Sequence, residues 1–309
     1  MPPSVKTADQ IEVVSVIGAG TMGRQIALQC ALYGLTVLLY DVDLKVLGGA
    51  RKQIENYLEQ FNHLEQFAKA DPSATLERIQ LTIDPKEAAQ CDLISESVPE
   101  DPVLKRNVFK QFGRLCPQHT VFTTNSSSLV PSMFADSSGR ADRLAALHFH
   151  QPIWISNVVD VMPHAGTSPQ VLDAVEGFAR RIGQIPIRLQ KESYGYVFNA
   201  MLNALNREAI TLVANGITSV ENVDRAWMGI MKMPIGPFGI LDGVGLETVW
   251  HITSYWAGQL GDVQLEKNAQ FLKTYLDAGK LGLKSGEGFY RYPDPAYQQP
   301  NFLTQPEDD

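Results

Sequence analysis

The sequence predicts an α/β protein in which a doubly wound, mostly parallel sheet precedes a second, all-helical domain. Three observations carry that prediction. Apolar, β-branched runs of four to six residues alternate with helix-period segments over the first part of the chain, the pattern of parallel sheets. From Tyr194 onward apolar residues recur only at helical spacing. The chain has 309 residues, 44% of them hydrophobic and 19% charged, enough for two domains of ordinary size.

Residues 12–41, EVVSVIGAGTMGRQIALQCALYGLTVLLYD, set the frame. Val13–Ile17 reads as a buried strand and breaks at Gly18-Ala19-Gly20-Thr21-Met22-Gly23. A helix-period segment runs from Met22 to Tyr33, and a second strand, Thr36–Tyr40, ends on Asp41. Strand, glycine turn, helix, strand and acid together form the dinucleotide-holding unit of a Rossmann-type sheet. Gly18 permits the tight turn, Gly20 lets backbone approach a pyrophosphate, and Gly23 lets helix and strand pack closely. The helix N-terminus at Thr21 and Met22 offers unpaired N–H groups to the phosphates. Asp41, 23 residues after Gly18, can accept the ribose hydroxyls and repels a 2′-phosphate, which favours NAD over NADP. Glycines alone would fit a tight turn that binds nothing; the flanking elements argue for the cofactor.

A long helical stretch, Leu44–Ala70, follows and stops at Asp71-Pro72. It is long for a connection between strands and is expected to project as an arm at about 44–70. Strands are expected at Ile79–Ile83, Asp92–Ser97, Val121–Thr124, Leu144–Leu147, Val158–Met162 and Pro186–Leu189, with helices at Pro102–Leu115 and Ser168–Arg181. Helices at Tyr194–Ala214, Val220–Ile230, Val244–Ala257 and Ala269–Ala278 make the second domain. The boundary is expected near Lys191, giving domains 1–190 and 191–309. The Pro-, Gln- and acid-rich tail from Pro293 is expected to be partly disordered or to drape over a neighbour.

A net charge of −8 argues against nucleic acid or an anionic membrane as partner. No apolar run approaches the ~20 residues of a bilayer span, and the N-terminus lacks the apolar core of a signal peptide. Cys30, Cys91 and Cys116 are widely spaced in apolar segments. They read as buried free thiols in a reducing, cytoplasmic setting, and no metal site is expected.

Polar residues gather where strands end, the edge at which open α/β sheets bind ligands. They are Glu96 to Glu100 with Lys105 beyond, Asn125 to Ser128, His148, and Asp160 inside the apolar run Asn157–Met162. An acid in a strand needs a partner when buried. An imidazole is a natural one, because a carboxylate fixes its tautomer and stabilises its charged form. The competing reading is a hydrogen-bonded core histidine with Asp160 facing solvent.

These stretches resemble the L-3-hydroxyacyl-CoA dehydrogenase family over nearly the whole chain. VIGAGTMG (16–23), DLISESVPED (92–101), NSSSL (125–129), HFHQP (148–152), VVDV (158–161), GYVFN (195–199), MPIGPFGILDGVGLE (233–247) and KSGEGFYRY (284–292) match its motifs in order. The resemblance implies that His148 is general base toward a 3-hydroxyl and that Asp160 orients it. It implies that Ser127 bonds the substrate oxygen, that Asn199 completes the site, and that Glu100, Lys105 and Asn125 lie near the nicotinamide. It also implies a homodimer through the helical domain, where Trp227, Met228, Met231, Met233, Trp250 and Trp256 are concentrated.

Four departures stand out. His150 and Gln151 replace Phe and Asn, Asp160 replaces Glu, Ala200 replaces Arg, and Gln53 to Ala68 carries Glu55, Glu59 and Glu65 and no Lys or Arg. An arm this acidic should repel CoA phosphates, although Arg51, Lys52 and Lys69 flank it. The leading expectation is therefore NAD-dependent interconversion of 3-hydroxyacyl-CoA and 3-ketoacyl-CoA. The runner-up is the same chemistry on a small free 3-hydroxy acid, and the third is a non-catalytic, crystallin-like NAD-binding protein.

Overall fold

The computed structural model describes residues 5–61 and 71–304. The chain divides into two compact units, one ending at Val197 and the other beginning at Phe198. The segment just past Lys191 belongs with the first unit because Tyr196 is buried there, its hydroxyl donating to the Ser126 carbonyl.

In the first unit the strands are β1 (Val13–Ile17), β2 (Thr36–Tyr40), β3 (Ile79–Thr82), β4 (Leu93–Glu96), β5 (Val121–Thr124), β6 (Leu144–Phe149), β7 (Val158–Met162) and β8 (Ile185–Arg188). They form one sheet in the order β3-β2-β1-β4-β5-β6-β7-β8. Every neighbouring pair is parallel except β6 with β7, which run antiparallel. Strand order reverses between β1 and β4, the switch point where such sheets take ligands. The central strands β4, β5 and β6 are buried throughout, and β1, β2 and β7 at all but their first residue, as sheets covered on both faces require.

The helices are α1 (Thr21–Leu32), α2 (Leu44–Phe61), α3 (Pro72–Glu77), α4 (Pro85–Ala88), α5 (Pro102–Leu115) and α6 (Pro169–Arg181). The apolar faces of α1, α2 and α6 share one core with Val14 and Val16, while α4 and α5 share another with Ile17 and Ile94. Asp71-Pro72, expected only to stop the arm, opens α3. Like Asp84-Pro85 and Asp101-Pro102, it places a carboxylate on free backbone N–H groups and proline in the first turn. The arm's first part is α2, which buries Leu47, Ala50, Ile54, Leu58 and Phe61. Phe61 and Tyr57 lie against Trp154, with ring centroids 4.7 and 5.0 Å away. The rest of the expected arm, 62–70, lies outside the described residues.

The second unit consists of α7 (Phe198–Ala214), α8 (Val220–Met231), α9 (Pro237–Val244), α10 (Leu246–Leu260) and α11 (Val263–Asp277). The helix expected over Val244–Ala257 is interrupted at Gly245, whose φ of 94° ends α9 and starts α10. Asp224 accepts the first N–H groups of α9, from Phe238 and Gly239, and the Tyr290 hydroxyl. Asp242 takes Phe289 N, Tyr290 N and the Tyr292 hydroxyl. Gly236 and Gly288 leave room for these carboxylates, since a Cβ at either would collide with one of them. The tail departs from expectation: Tyr297 and Phe302 are buried in this unit's own core, so the segment folds back on its helices. Residues 305–309 lie outside the described part. Among the described residues, no helix is long and apolar enough to cross a membrane. Cys30, Cys91 and Cys116 are free and buried.

Candidate active site

Because β1, β2, β4, β5 and β6 run parallel, their C-terminal ends share one edge of the sheet. The antiparallel β7 brings its N-terminal half to that edge. At β1 the chain turns through Gly18, with φ of 102°, and a Cβ there would come within 2.7 Å of the Ser97 carbonyl oxygen. A Cβ at Gly23 would strike the Gly18 carbonyl, whereas one at Gly20 would meet nothing within 4 Å among the described residues. Two glycines thus fit the turn to the protein, and the third leaves its outer side open. The N-terminus of α1, at Thr21 and Met22, has no side-chain cap. Asp41 Oδ2 accepts the Ala19 N–H at 2.9 Å and Oδ1 accepts the Asp43 N–H at 3.1 Å. The acid therefore helps shape the turn while keeping lone pairs for a ligand. Open backbone, free helix N–H groups and an adjacent carboxylate fit a dinucleotide.

After β4 and β5, Glu96, Glu100 and Lys105 organise the serine turn. Lys105 Nζ lies 2.7 Å from Glu96 and 3.3 Å from Glu100. Glu96 also accepts the Thr124 hydroxyl and the Val98 N–H. Glu100 Oε1 accepts the hydroxyls of Ser126 and Ser128 and the Ser128 N–H. Burial pushes the Glu100 carboxyl up, but the Ser126 hydrogen bond, the Lys105 charge and the Ser128 contacts outweigh it and hold it below the ordinary range. With its neighbours tied to Glu100, Ser127 alone of the three serines reaches His148, its Oγ 3.1 Å from Nε2. Asn125 Oδ1 accepts the Phe149 N–H at 2.8 Å, tying the end of β5 to the end of β6.

His148 and Asp160 are register partners across β6 and β7. Both are buried, and His148 Nδ1 lies 3.2 Å from Asp160 Oδ2. Burial alone would raise the Asp160 carboxyl; hydrogen bonds from His148 and His150 reverse the shift and hold it below its usual value. The pair is thus a carboxylate fixing an imidazole whose other nitrogen faces a hydroxyl, the arrangement of a general acid–base group.

Two neighbours of His148 were given no such contact in the sequence reading: Tyr196, and His150, noted there only as a replacement for Phe. Tyr196 stacks on the His148 ring, centroids 4.5 Å apart and planes 8° from parallel. Burial and nearby carboxylates push its phenol far up, so it remains a neutral wall and hydrogen-bond donor. His150 Nε2 lies 3.1 Å from the same Asp160 oxygen as His148. The signal for His150 was the alternation His148-Phe149-His150, which puts both imidazoles on one face of the chain. Asn199 is the second residue of α7, in the helical unit.

Residues 13–193 match the family described as 3-hydroxyacyl-CoA dehydrogenase, NAD binding domain, and residues 195–292 match its C-terminal domain. The chain belongs to the 3-hydroxyacyl-CoA dehydrogenase family. It is 32% identical over 288 residues to human mitochondrial hydroxyacyl-coenzyme A dehydrogenase, covering 91% of each chain. It is 30% identical over 283 residues to a probable 3-hydroxybutyryl-CoA dehydrogenase of Bacillus subtilis, covering 92% of this chain and 98% of that one. Among solved structures, a diketoreductase described as acting on dicarbonyl compounds is 40% identical with a TM-score of 0.84, covering 91% of this chain and 99% of that one. The (S)-3-hydroxybutyryl-CoA dehydrogenase of Ralstonia eutropha is 28% identical with a TM-score of 0.84, covering 92% and 100%. The protein is an oxidoreductase of this family with an NAD-binding domain.

Proposed function

We propose that the protein interconverts L-3-hydroxyacyl-CoA and 3-ketoacyl-CoA, with His148 as the proton-transferring group. The observation that carries this reading is the chain Ser127–His148–Asp160, with contacts of 3.1 and 3.2 Å. In oxidation, Nε2 of His148 takes the proton of the 3-hydroxyl, and Asp160 at Nδ1 stabilises the imidazolium that forms. Ser127, within reach of the same nitrogen, bonds the substrate oxygen. In reduction the protonated imidazole returns that proton to the 3-keto oxygen. The nicotinamide, when bound, supplies the hydride acceptor or donor. Gly18, Gly20, Thr21, Met22, Gly23 and Asp41 are assigned to the adenosine and pyrophosphate half of NAD. Glu100, Lys105 and Asn125 shape the nicotinamide side, with Lys105 acting through Glu100. Asn199 is assigned the substrate contact that its motif implies.

A second reading keeps the chemistry and removes CoA: a small free 3-hydroxy acid or a dicarbonyl compound. Two observations favour it. The only basic residues on described α2 past its first turn, Arg51 and Lys52, are followed by Glu55 and Glu59, and Arg51 is paired to Glu55 at 3.0 Å. The solved diketoreductase is also more similar, at 40% identity, than the CoA-linked relatives named above. Following NADH absorbance with acetoacetyl-CoA and with free β-keto acids and β-diketones separates the two. Saturation by the thioester supports the first reading, and turnover of the free compounds alone supports the second. NADH binding without turnover on either panel would point to a non-catalytic protein.

We also propose a homodimer through the helical unit, where Ile230, Met231, Ile252, Tyr255, Trp256 and Leu260 are exposed. Of the residues expected there, Met228 is buried in the unit's own core. Light scattering at micromolar protein tests it, and a monomer mass overturns it.

A further inference from the structure

Asp160 Oδ2 receives two imidazoles, His148 Nδ1 at 3.2 Å and His150 Nε2 at 3.1 Å. The strand geometry dictates this. His148 is the register partner of Asp160 on β7, and His150, two residues on and just past the end of β6, keeps the same face and reaches the same oxygen diagonally. Phe149, between them, points into the core. The rings sit edge to face, centroids 4.7 Å apart, and the His150 side chain is 18% exposed against 4% for His148. All three donor atoms lie within 4.8 Å of one another. Both ring nitrogens are within hydrogen-bond distance of the same carboxylate oxygen, which links the three side chains as a hydrogen-bonded chain.

We propose that His150 is a positioning residue: it holds the short carboxylate of Asp160 against His148 Nδ1 and thereby fixes the tautomer that leaves Nε2 free to accept a proton. The proposal rests on the functional reading above. An aspartate has one methylene fewer than a glutamate with which to reach across the strand pair, so its carboxylate cannot settle the imidazole's orientation by length. A second donor on the same oxygen, held just past the end of β6, pins it between the two rings. Both bonds are satisfied together only when each ring carries its proton on the nitrogen facing Asp160. For His148 that is the Nδ1–H tautomer, the one a general base at Nε2 requires. Tyr196, stacked on the outer face of His148, and Ser127, at Nε2, complete the enclosure of that ring. His150 therefore acts on the reaction through Asp160 and touches no reacting atom.

The test compares His150→Phe, His150→Gln and His150→Phe/Asp160→Glu with the wild type. His150→Phe is expected to lower kcat by about tenfold with KM and NADH affinity changed less than twofold, because only proton transfer is affected. His150→Gln keeps an N–H donor and recovers most of the rate. In the double variant the longer glutamate reaches Nδ1 unaided and also recovers activity, a non-additivity that marks the two sites as coupled. Long-range 1H–15N NMR of the imidazoles gives a readout independent of substrate. His148 is a single Nδ1–H tautomer in the wild type and a mixture in His150→Phe. A His150→Phe enzyme with wild-type kcat and an unchanged His148 tautomer overturns the proposal. A wild type that turns over no substrate, with the tautomer still shifted by His150→Phe, overturns the functional reading and leaves the positioning role intact.

Discussion

Lys105 and Glu96 form an ion pair at 2.7 Å in which neither side chain is more than 1% exposed. Glu96 ends β4 and Lys105 lies in the first turn of α5, so the pair clamps strand to helix just behind the serine turn. Burial pushes the Glu96 carboxyl up, and the Lys105 charge and hydrogen bond oppose that push. Removing one partner strands the other in a dry site. Lys105→Met should therefore cost about 3–5 kcal/mol in urea unfolding. Lys105→Met/Glu96→Leu should recover much of the loss, and a single-variant loss below about 1 kcal/mol would show the pair to be energetically idle.

His148→Ala should lower kcat by about 10²–10⁴-fold while leaving the NADH dissociation constant within about twofold, since the imidazole serves proton transfer and not cofactor binding. Ser127→Ala should lose about tenfold, the weight of one hydrogen bond to a group that becomes charged. Steady-state absorbance and NADH fluorescence titration check both. Equal losses in NADH affinity would remove His148 from the base role.

Asp41→Ala should weaken NADH binding by about tenfold or more and leave NADPH binding unchanged or improved, because a carboxylate repels the 2′-phosphate. Part of the NADH loss belongs to the turn itself, which loses the 2.9 Å bond from Ala19 N. Fluorescence titration with both cofactors reads the ratio. A parallel fall for NADH and NADPH would assign Asp41 to the turn alone.

Burial lifts the Asp224 carboxyl to about 6, against hydrogen bonds from Phe238 N, the Tyr290 hydroxyl and Gly239 N. An unfolded aspartate titrates near 3.8. Between those values the folded state binds the extra proton, so this group's contribution is greatest below pH 4 and falls as pH rises through 6, by about 3 kcal/mol in all. Urea unfolding of wild type and Asp224→Asn between pH 4 and 7 isolates the effect. The difference between the two should slope downward with pH for the wild type, and an upward slope would contradict the assignment.

Much of this molecule was legible from local chemistry. The span from Val13 to Asp41 could be read because a turn that needs glycine at Gly18 and Gly23 leaves a mark in the residues themselves. An acid in the apolar run around Asp160 demands a partner and so pointed to His148, but a solvent-facing Asp160 fitted the residues as well until the cross-strand register was seen. The direction of β7 could not be read, since an apolar run looks alike in either orientation and only the contact of β7 with β6 decides it. Lys105 belongs mainly to Glu96 for a similar reason: burial, which set its partner, depends on α5 packing over β4. Gly245 breaks a helix-period segment that reads as continuous, because one residue in a left-handed conformation leaves the apolar spacing on each side intact. The tail's composition suggested disorder, yet Tyr297 and Phe302 are enough to anchor it, and two aromatic side chains barely alter a compositional average.

The antiparallel pairing of β6 and β7 sets a parity rule for the site. On a strand, odd and even positions face opposite ways, so sliding β7 by one residue would set Val159 or Val161 opposite His148 and turn the carboxylate through to the far side of the sheet. The connection from Gln151 to Asn157 can gain or lose residues without consequence for the imidazole, provided that β7 re-enters the sheet in the same phase. For the imidazole, a change of length there counts by whether the strand keeps step, whereas Ile153 and Trp154 within the connection answer to the core they pack into.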